Sequence, residues 1–355
     1  MMPQKRSLDT FFSPIAGKKS RQEVTLPVPG EVAFDSAVER THAQLFTDSK
    51  SALPVCEKNE AASSALPAST HHTYPFPVPH LPPSVGPSLF ESVPVHPGRP
   101  LCHLPALDLL YFQPFIPEST ALALFKFLRA NLFFYRVKYK IKRGTVETDI
   151  NTPRFTTVFG VDETSCFSPA GELIDVRSQR PAEQGRYKTC RPRPLPKCLD
   201  DLRTLTEAFT DESFNFCLVN YYANGNDSIS YHSDDEKFLG PNPAIASFSL
   251  GACRDFLMKH KPLPPPAPAA AAQQLKLNLG SGDMVLMRGS TQANWLHSIP
   301  KRKGKEADRG RINITFRKAV VRGGTENYYR YNVGEGGIWK WNQEGGEMRE
   351  CKEGG

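Results

Sequence analysis

The chain has 355 residues, with 44 Lys and Arg against 37 Asp and Glu and a formal charge of +7; that length holds one mid-sized domain with tails, and the basic excess matters by placement rather than size. The eight Cys form no CxxC pair and keep no regular spacing, which argues against a zinc ribbon or disulfide framework and points to a reducing compartment. There is no signal sequence and no apolar run of about eighteen residues, so neither secretion nor a membrane span is expected.

Residues 1–100 are rich in Pro, Ser, His and small residues and poor in periodic apolar ones. Such a segment cannot bury enough surface to offset its ordering entropy, and a disordered tail is expected. The folded domain is expected over 101–320. Its first helix enters through Pro117, with Ala121, Leu124, Phe125, Leu128 and Leu132 recurring as an amphipathic stripe. "YRVKYKIKRG" then alternates Val137, Tyr139 and Ile141 with Lys138, Lys140 and Lys142, a strand leading to a turn at Gly144. A second helix is predicted from Pro196 to about Phe209, with Leu199, Leu202, Leu205 and Phe209 inward. "FNFCLVNYY" puts Phe214, Phe216, Leu218, Asn220 and Tyr222 on one strand face, and "ANGND" turns the chain.

Short strands follow at "AIASFSL", "DFLMKH", "LKLNL", "DMVLMR" and "RINITFR". Several short strands after a few helices predict an α+β chain: an antiparallel barrel or jelly roll with flanking helices. The low-complexity insert 261–274 reads as a surface loop. The aromatic and Gly-rich extension 321–355 carries no assignable role.

Within "SISYHSDDEKF", His232 and Asp234 are two positions apart, so a strand turns both to one face, where they can grip one ion. A third ligand must come from elsewhere, and His297 in "NWLHSIP" is the candidate. Two His and one carboxylate leave three adjacent positions open on an octahedron, the pattern of non-haem Fe(II) oxygenases. Taken alone, an HxD triplet is more often a chance pairing than a metal site.

"RINITFR" puts Arg311, Asn313, Thr315 and Arg317 on one face and Ile312, Ile314 and Phe316 on the other. A plain edge strand has that pattern too. If Asn220 and Tyr222 point into a barrel, however, the arginines point there as well, and a guanidinium held inside needs an anionic partner. A dicarboxylate ligand would serve.

Together "NYYANGNDSISYHSDDE", "AIASFSLGACRDF", "HSIPKRK" with "RGRINITFRK", and "PRFTTVFGVDE" resemble the AlkB family of Fe(II)- and 2-oxoglutarate-dependent dioxygenases, in its nucleic-acid demethylase branch, over about 105–320. The resemblance implies a double-stranded β-helix. It implies that His232, Asp234 and His297 hold Fe(II), and that Arg311 pairs with the distal carboxylate of 2-oxoglutarate, helped by Tyr222 and Asn313. Asn220, Thr315 and Arg317 would lie around its metal-binding end. The implied reaction is oxidative demethylation, with O2, of N-alkylated bases such as 1-methyladenine and 3-methylcytosine in DNA, with RNA as the alternative substrate and a non-catalytic adaptor as the rival reading.

A base in a duplex must be flipped out to reach buried iron. By family pattern Arg154, Asp235 and Glu236 lie near the base, and His232 forms one wall of its slot. Tyr187 is the candidate for the opposite wall, although the family's aromatic falls two positions on, at Thr189 here. Basic residues recur around the expected mouth: Lys138, Lys140, Lys142 and Arg143 on the hairpin, Arg186, Lys188, Arg191 and Arg193, then Lys301, Arg302 and Lys303. In the tail, "KRSLDTFF" (5–12) resembles the sliding-clamp (PCNA) interaction box, with Leu8, Phe11 and Phe12 as its plugs. Lys18, Lys19 and Arg21 suggest nuclear import. A nuclear monomer is expected.

Overall fold

The computed structural model describes residues 67–91, 94, 96–143, 146–182, 187, 190–262, 274–334 and 336–351, with backbone alone for 139–151. The clamp box, the import signal and most of the insert lie outside the described residues.

Two antiparallel sheets carry the domain. The first half of the chain supplies β1 (Arg99–Leu101), β2 (Leu109–Phe112), β3 (Phe134–Tyr135) and β4 (Phe155–Gly160). The sequence then runs through β5 (Phe216–Tyr222), β6 (Ile229–His232), β7 (Ile245–Gly251), β8 (Arg254–His260), β9 (Gln274–Leu279), β10 (Met284–Met287), β11 (Trp295–Ile299) and β12 (Arg311–Arg317). Last come β13 (Ile338–Asn342) and β14 (Glu347–Cys351). The ten-stranded sheet has the order β14-β13-β3-β4-β5-β12-β7-β10-β2-β1, and the four-stranded sheet the order β6-β11-β8-β9. From β5 to β12 the chain passes back and forth between the two sheets, which is a jelly roll and agrees with the sequence expectation.

β12 lies between β5 and β7, paired in full register with both. It is therefore a central strand, buried on both faces, and the edge-strand reading of "RINITFR" is excluded. Its apolar face, with Phe316, meets Phe214 and Phe248, and Phe248 meets Phe115 edge-on. Phe214 was expected beside Phe216. It precedes β5, where Asn215 turns its side chain to Ala319, and so packs on the opposite layer.

The helix α1 (Glu118–Asn131) follows Pro117, and the predicted stripe is its buried face: Ala121, Leu124, Phe125 and Leu128. It packs against β7, β12 and β13. The close approach requires Gly251, at φ +90°, because a Cβ there would lie 2.8 Å from the Phe125 ring. A second helix, α2 (Lys197–Ala208), buries Leu199, Leu202 and Leu205, but Phe209 stays exposed at its end. Lys138–Arg143 pairs with Val146–Asn151 as a separate hairpin.

Both domain boundaries shift. Residues 67–100 were expected in the disordered tail, yet β1 joins the main sheet and Tyr74 donates to the Pro194 carbonyl at 2.6 Å while its ring meets Phe133 and Phe159. Pro-rich composition hid these long-range anchors, which have no local period. At the other end, β13 and β14 extend the main sheet, and the helix α3 (Glu326–Asn332) buries Tyr329 against Tyr187 and Phe216.

Candidate active site

The metal ligands predicted from sequence meet at one point. β6 and β11 are neighbours in the small sheet, with His232 opposite His297 and ring centroids 4.2 Å apart. Asp234, just past the end of β6, has Oδ1 3.8 Å from His232 Nε2 and Oδ2 3.7 Å from His297 Nε2. One ligand atom from each of the three residues lies within 4.8 Å of the others.

Several contacts aim these groups. The His232 Nδ1–H donates to the Ser230 carbonyl at 2.9 Å, which leaves the Nε2 lone pair turned inward. The Asp234 amide donates to Gln292 Oε1 at 2.9 Å. Burial pushes the His297 imidazole down to about 3, with His232 adding to the effect, and burial lowers His232 too; both rings stay neutral, the state that binds a metal. Burial alone would raise the Asp234 carboxyl, but the Arg317 guanidinium holds it below the usual range.

The four polar residues of β12 all face this site but do different things. Arg311 is 1% exposed and gives one Nη2 bond to Ser249 Oγ, at 2.7 Å, while Nε and Nη1 have no partner. Its guanidinium stands 5.4 Å from the Tyr222 ring, and burial pulls it down to about 10. A buried cation with two unpartnered nitrogens could anchor a carboxylate, the end of 2-oxoglutarate that the resemblance implies. Asn313 gives its amide hydrogens to Ser247 Oγ and the Phe248 carbonyl, and Thr315 donates to the Leu218 carbonyl. Arg317 reaches Asp234 Oδ1 with Nη2 at 3.0 Å. The donors of Asn313 and Thr315 thus hold the neighbouring strands, and Arg317 holds the ligand carboxylate. Asn220 accepts from Arg154 Nε at 2.8 Å, bringing Arg154 to the site.

The two acids after Asp234 part company. Asp235 turns outward to Lys261 at 2.9 Å, whereas Glu236 lies 3.8 Å from Arg317 Nη1 and burial pushes its carboxyl up. Tyr187 is buried, its hydroxyl 2.5 Å from Thr325 Oγ1 and its ring against Tyr329. The side chains of Lys140, Lys142 and Arg143, with Leu8, Phe11 and Phe12, lie outside the described residues.

The family description "2OG-Fe(II) oxygenase superfamily" matches residues 108–317. The chain belongs to this superfamily. Its cofactors are accordingly Fe(II), 2-oxoglutarate and O2, and the donor set fits them: two imidazoles and a carboxylate for Fe(II), the unpartnered nitrogens of Arg311 for the keto acid. The chain is 39% identical over 133 residues to "DNA oxidative demethylase ALKBH2" of Homo sapiens, covering 38% of this chain and 50% of that one. It is 40% identical over 135 residues to "Alpha-ketoglutarate-dependent dioxygenase alkB homolog 3" of Homo sapiens, covering 37% and 46%. To the ALKBH2 of Arabidopsis thaliana it is 31% identical over 233 residues, covering 59% and 66%. These likenesses bear out the AlkB resemblance, and the match spans about half the length of the human relatives.

Sequence reasoning missed Ser249, Gln292, Arg254 and Tyr328. The alternation in "AIASFSL" held the signal for Ser247 and Ser249, which face the same side as Arg311 and Asn313. Arg254, buried, donates to the carbonyls of Asp227 and Pro300 at 2.8 and 2.6 Å and so ties the loop before β6 to the loop after β11, at one end of that strand pair. No local pattern pointed to Gln292 or Tyr328.

Proposed function

We propose that the chain is an oxidative demethylase of N-alkylated bases, such as 1-methyladenine and 3-methylcytosine, in DNA, acting in direct-reversal repair in the nucleus. The observation that carries this reading is the convergence of His232, Asp234 and His297 beside the unpartnered Arg311, in a core similar to proteins named DNA oxidative demethylases. The complete ligand set disfavours a non-catalytic adaptor.

In this reading His232, Asp234 and His297 hold Fe(II), and Arg311 with Tyr222 anchors 2-oxoglutarate by its distal carboxylate. When bound, the metal and keto acid supply the oxidising chemistry with O2. The chain's own work is positioning. Arg317 keeps Asp234 ionised and oriented, Ser230 fixes the His232 tautomer, and the surrounding burial excludes water. A methylated base, presented single-stranded or flipped from a duplex, enters beside His232, with Glu236 and Arg154 at its edge. The basic hairpin 138–151 and the loop after His297 grip the phosphates, which makes binding weaken by roughly 0.9 log unit per log salt for each duplex phosphate neutralised. The sliding-clamp box at 5–12 delivers this monomer to DNA.

The test is formaldehyde release from oligonucleotides carrying 1-methyladenine or 3-methylcytosine, with iron and 2-oxoglutarate each omitted in turn. Release from DNA that stops with either omission is expected. Release from matched RNA but not from DNA would make the chain an RNA demethylase, and no release from either would sink the reading.

A further inference from the structure

The family match ends at Arg317, and residues 318–355 lie beyond it. Yet this extension returns to the site. Its helix α3 carries Tyr328, whose hydroxyl accepts a 2.6 Å hydrogen bond from Arg317 Nη1 and whose ring lies 5.1 Å from the guanidinium carbon. The ring is wedged edge-on between Phe216 of β5 and Phe238.

The consequence runs through Arg317. This guanidinium is 1% exposed, its Nε has no partner, and its other Nη1 neighbour, Glu236 Oε1, is 3.8 Å away, beyond hydrogen-bond range. Tyr328 therefore supplies the short hydrogen bond that, with a longer 3.5 Å contact from Nη2 to Thr315 Oγ1, sets the tilt of the planar guanidinium about its Cδ–Nε bond. Nη2 can then reach Asp234 Oδ1 at 3.0 Å, while Oδ2 stays turned toward His297. We infer that Tyr328 is a positioning residue of the metal centre: through Arg317 it sets the orientation of the Asp234 carboxylate, so that the C-terminal extension completes the site that β6, β11 and β12 begin. The neighbouring Tyr329 has a different role. Its hydroxyl bonds the Gly160 carbonyl and the Arg193 amide, so it ties α3 to the core.

The inference rests on the metal reading of the site, not on the choice of DNA as substrate. It is tested on the full chain with Mn(II) as an oxygen-stable probe, in titrations and in thermal melts with and without the ion. Tyr328→Phe keeps the packed ring and removes only the acceptor. Its Mn(II) affinity is expected to fall about tenfold, the scale on which partners of metal ligands act, and the rise in melting temperature on adding Mn(II) shrinks accordingly. Tyr329→Phe should do the reverse, lowering the melting temperature while leaving Mn(II) affinity as in the wild type. Because the Mn(II)-dependent increment is read within each variant, a loss of basal stability does not mask it. Wild-type affinity and a wild-type increment in Tyr328→Phe would overturn the inference alone; a wild-type chain that takes up no Mn(II) would overturn the metal reading together with it.

Discussion

His232 and His297 stand opposite each other across the β6–β11 ladder, 4.2 Å between ring centroids, although 64 residues of chain separate them. Only a closed jelly roll brings these strands into register, so the pair is a product of the fold rather than of a local motif. Replacing either imidazole by Ala removes one of three ligands. His297→Ala should weaken Mn(II) binding by at least about a hundredfold and abolish formaldehyde release, with the far-ultraviolet circular dichroism spectrum unchanged. Retention of metal uptake by this variant would exclude the triad.

Burial holds both imidazoles below the usual histidine range, His297 at about 3. A metal therefore meets no competing proton on them where a free imidazole would titrate, and Mn(II) affinity should stay within about twofold between about pH 8 and pH 6. For stability the sign is opposite to that of a salt-bridged histidine. Below about pH 6.5 the unfolded chain takes up protons that the folded chain refuses, so the metal-free protein loses stability as pH falls through that value. Because the Glu236 carboxyl, raised by burial, pulls the other way, denaturant melts at several pH values are read as the difference between the wild type and His297→Ala; a difference that does not fall toward acid would contradict the buried neutral pair.

Arg311 offers a separation of stability from binding. The charge is buried with two of its nitrogens, Nε and Nη1, unpartnered, a state that costs the protein free energy until a carboxylate arrives. Arg311→Met should raise the stability of the ligand-free chain by about 1–3 kcal/mol and weaken 2-oxoglutarate binding by at least about a hundredfold, since a buried charge pair is broken. Melting temperature and a 2-oxoglutarate titration together decide it. A destabilised variant with normal keto-acid affinity would make Arg311 structural.

The site was legible where local period carries information. His232 and Asp234 share a face because strands repeat every second residue, and the polar face of Arg311–Arg317 followed from the same rule. What sequence could not give was which polar groups spend their donors on neighbours: Asn313 and Thr315 bond β7 and β5, and Arg317 bonds Asp234, because strand order decides who sits beside whom. Tyr328 was illegible for a related reason. "ENYYRYN" is an aromatic-rich helix with no charge pattern pointing anywhere, and its meaning depends on which strand it folds back upon.

The same limit hid the true start of the domain, and there it makes a prediction about stability. Val78 and Leu89 are fully buried and Leu101 nearly so. Three such side chains contribute roughly 5–9 kcal/mol, comparable with the whole stability of an ordinary domain at about 5–15 kcal/mol. The segment also supplies the Thr73 carbonyl to Arg193 Nε at 3.0 Å, so its removal strips a partner from a buried guanidinium that stacks on Phe133 and Tyr135. A chain beginning at Leu104, near the boundary that composition suggests, should therefore be unfolded or melt far below a chain beginning at Pro67. Circular dichroism melts of the two chains decide the matter: equal melting temperatures would mean that residues 67–103 pack on the domain without holding it together.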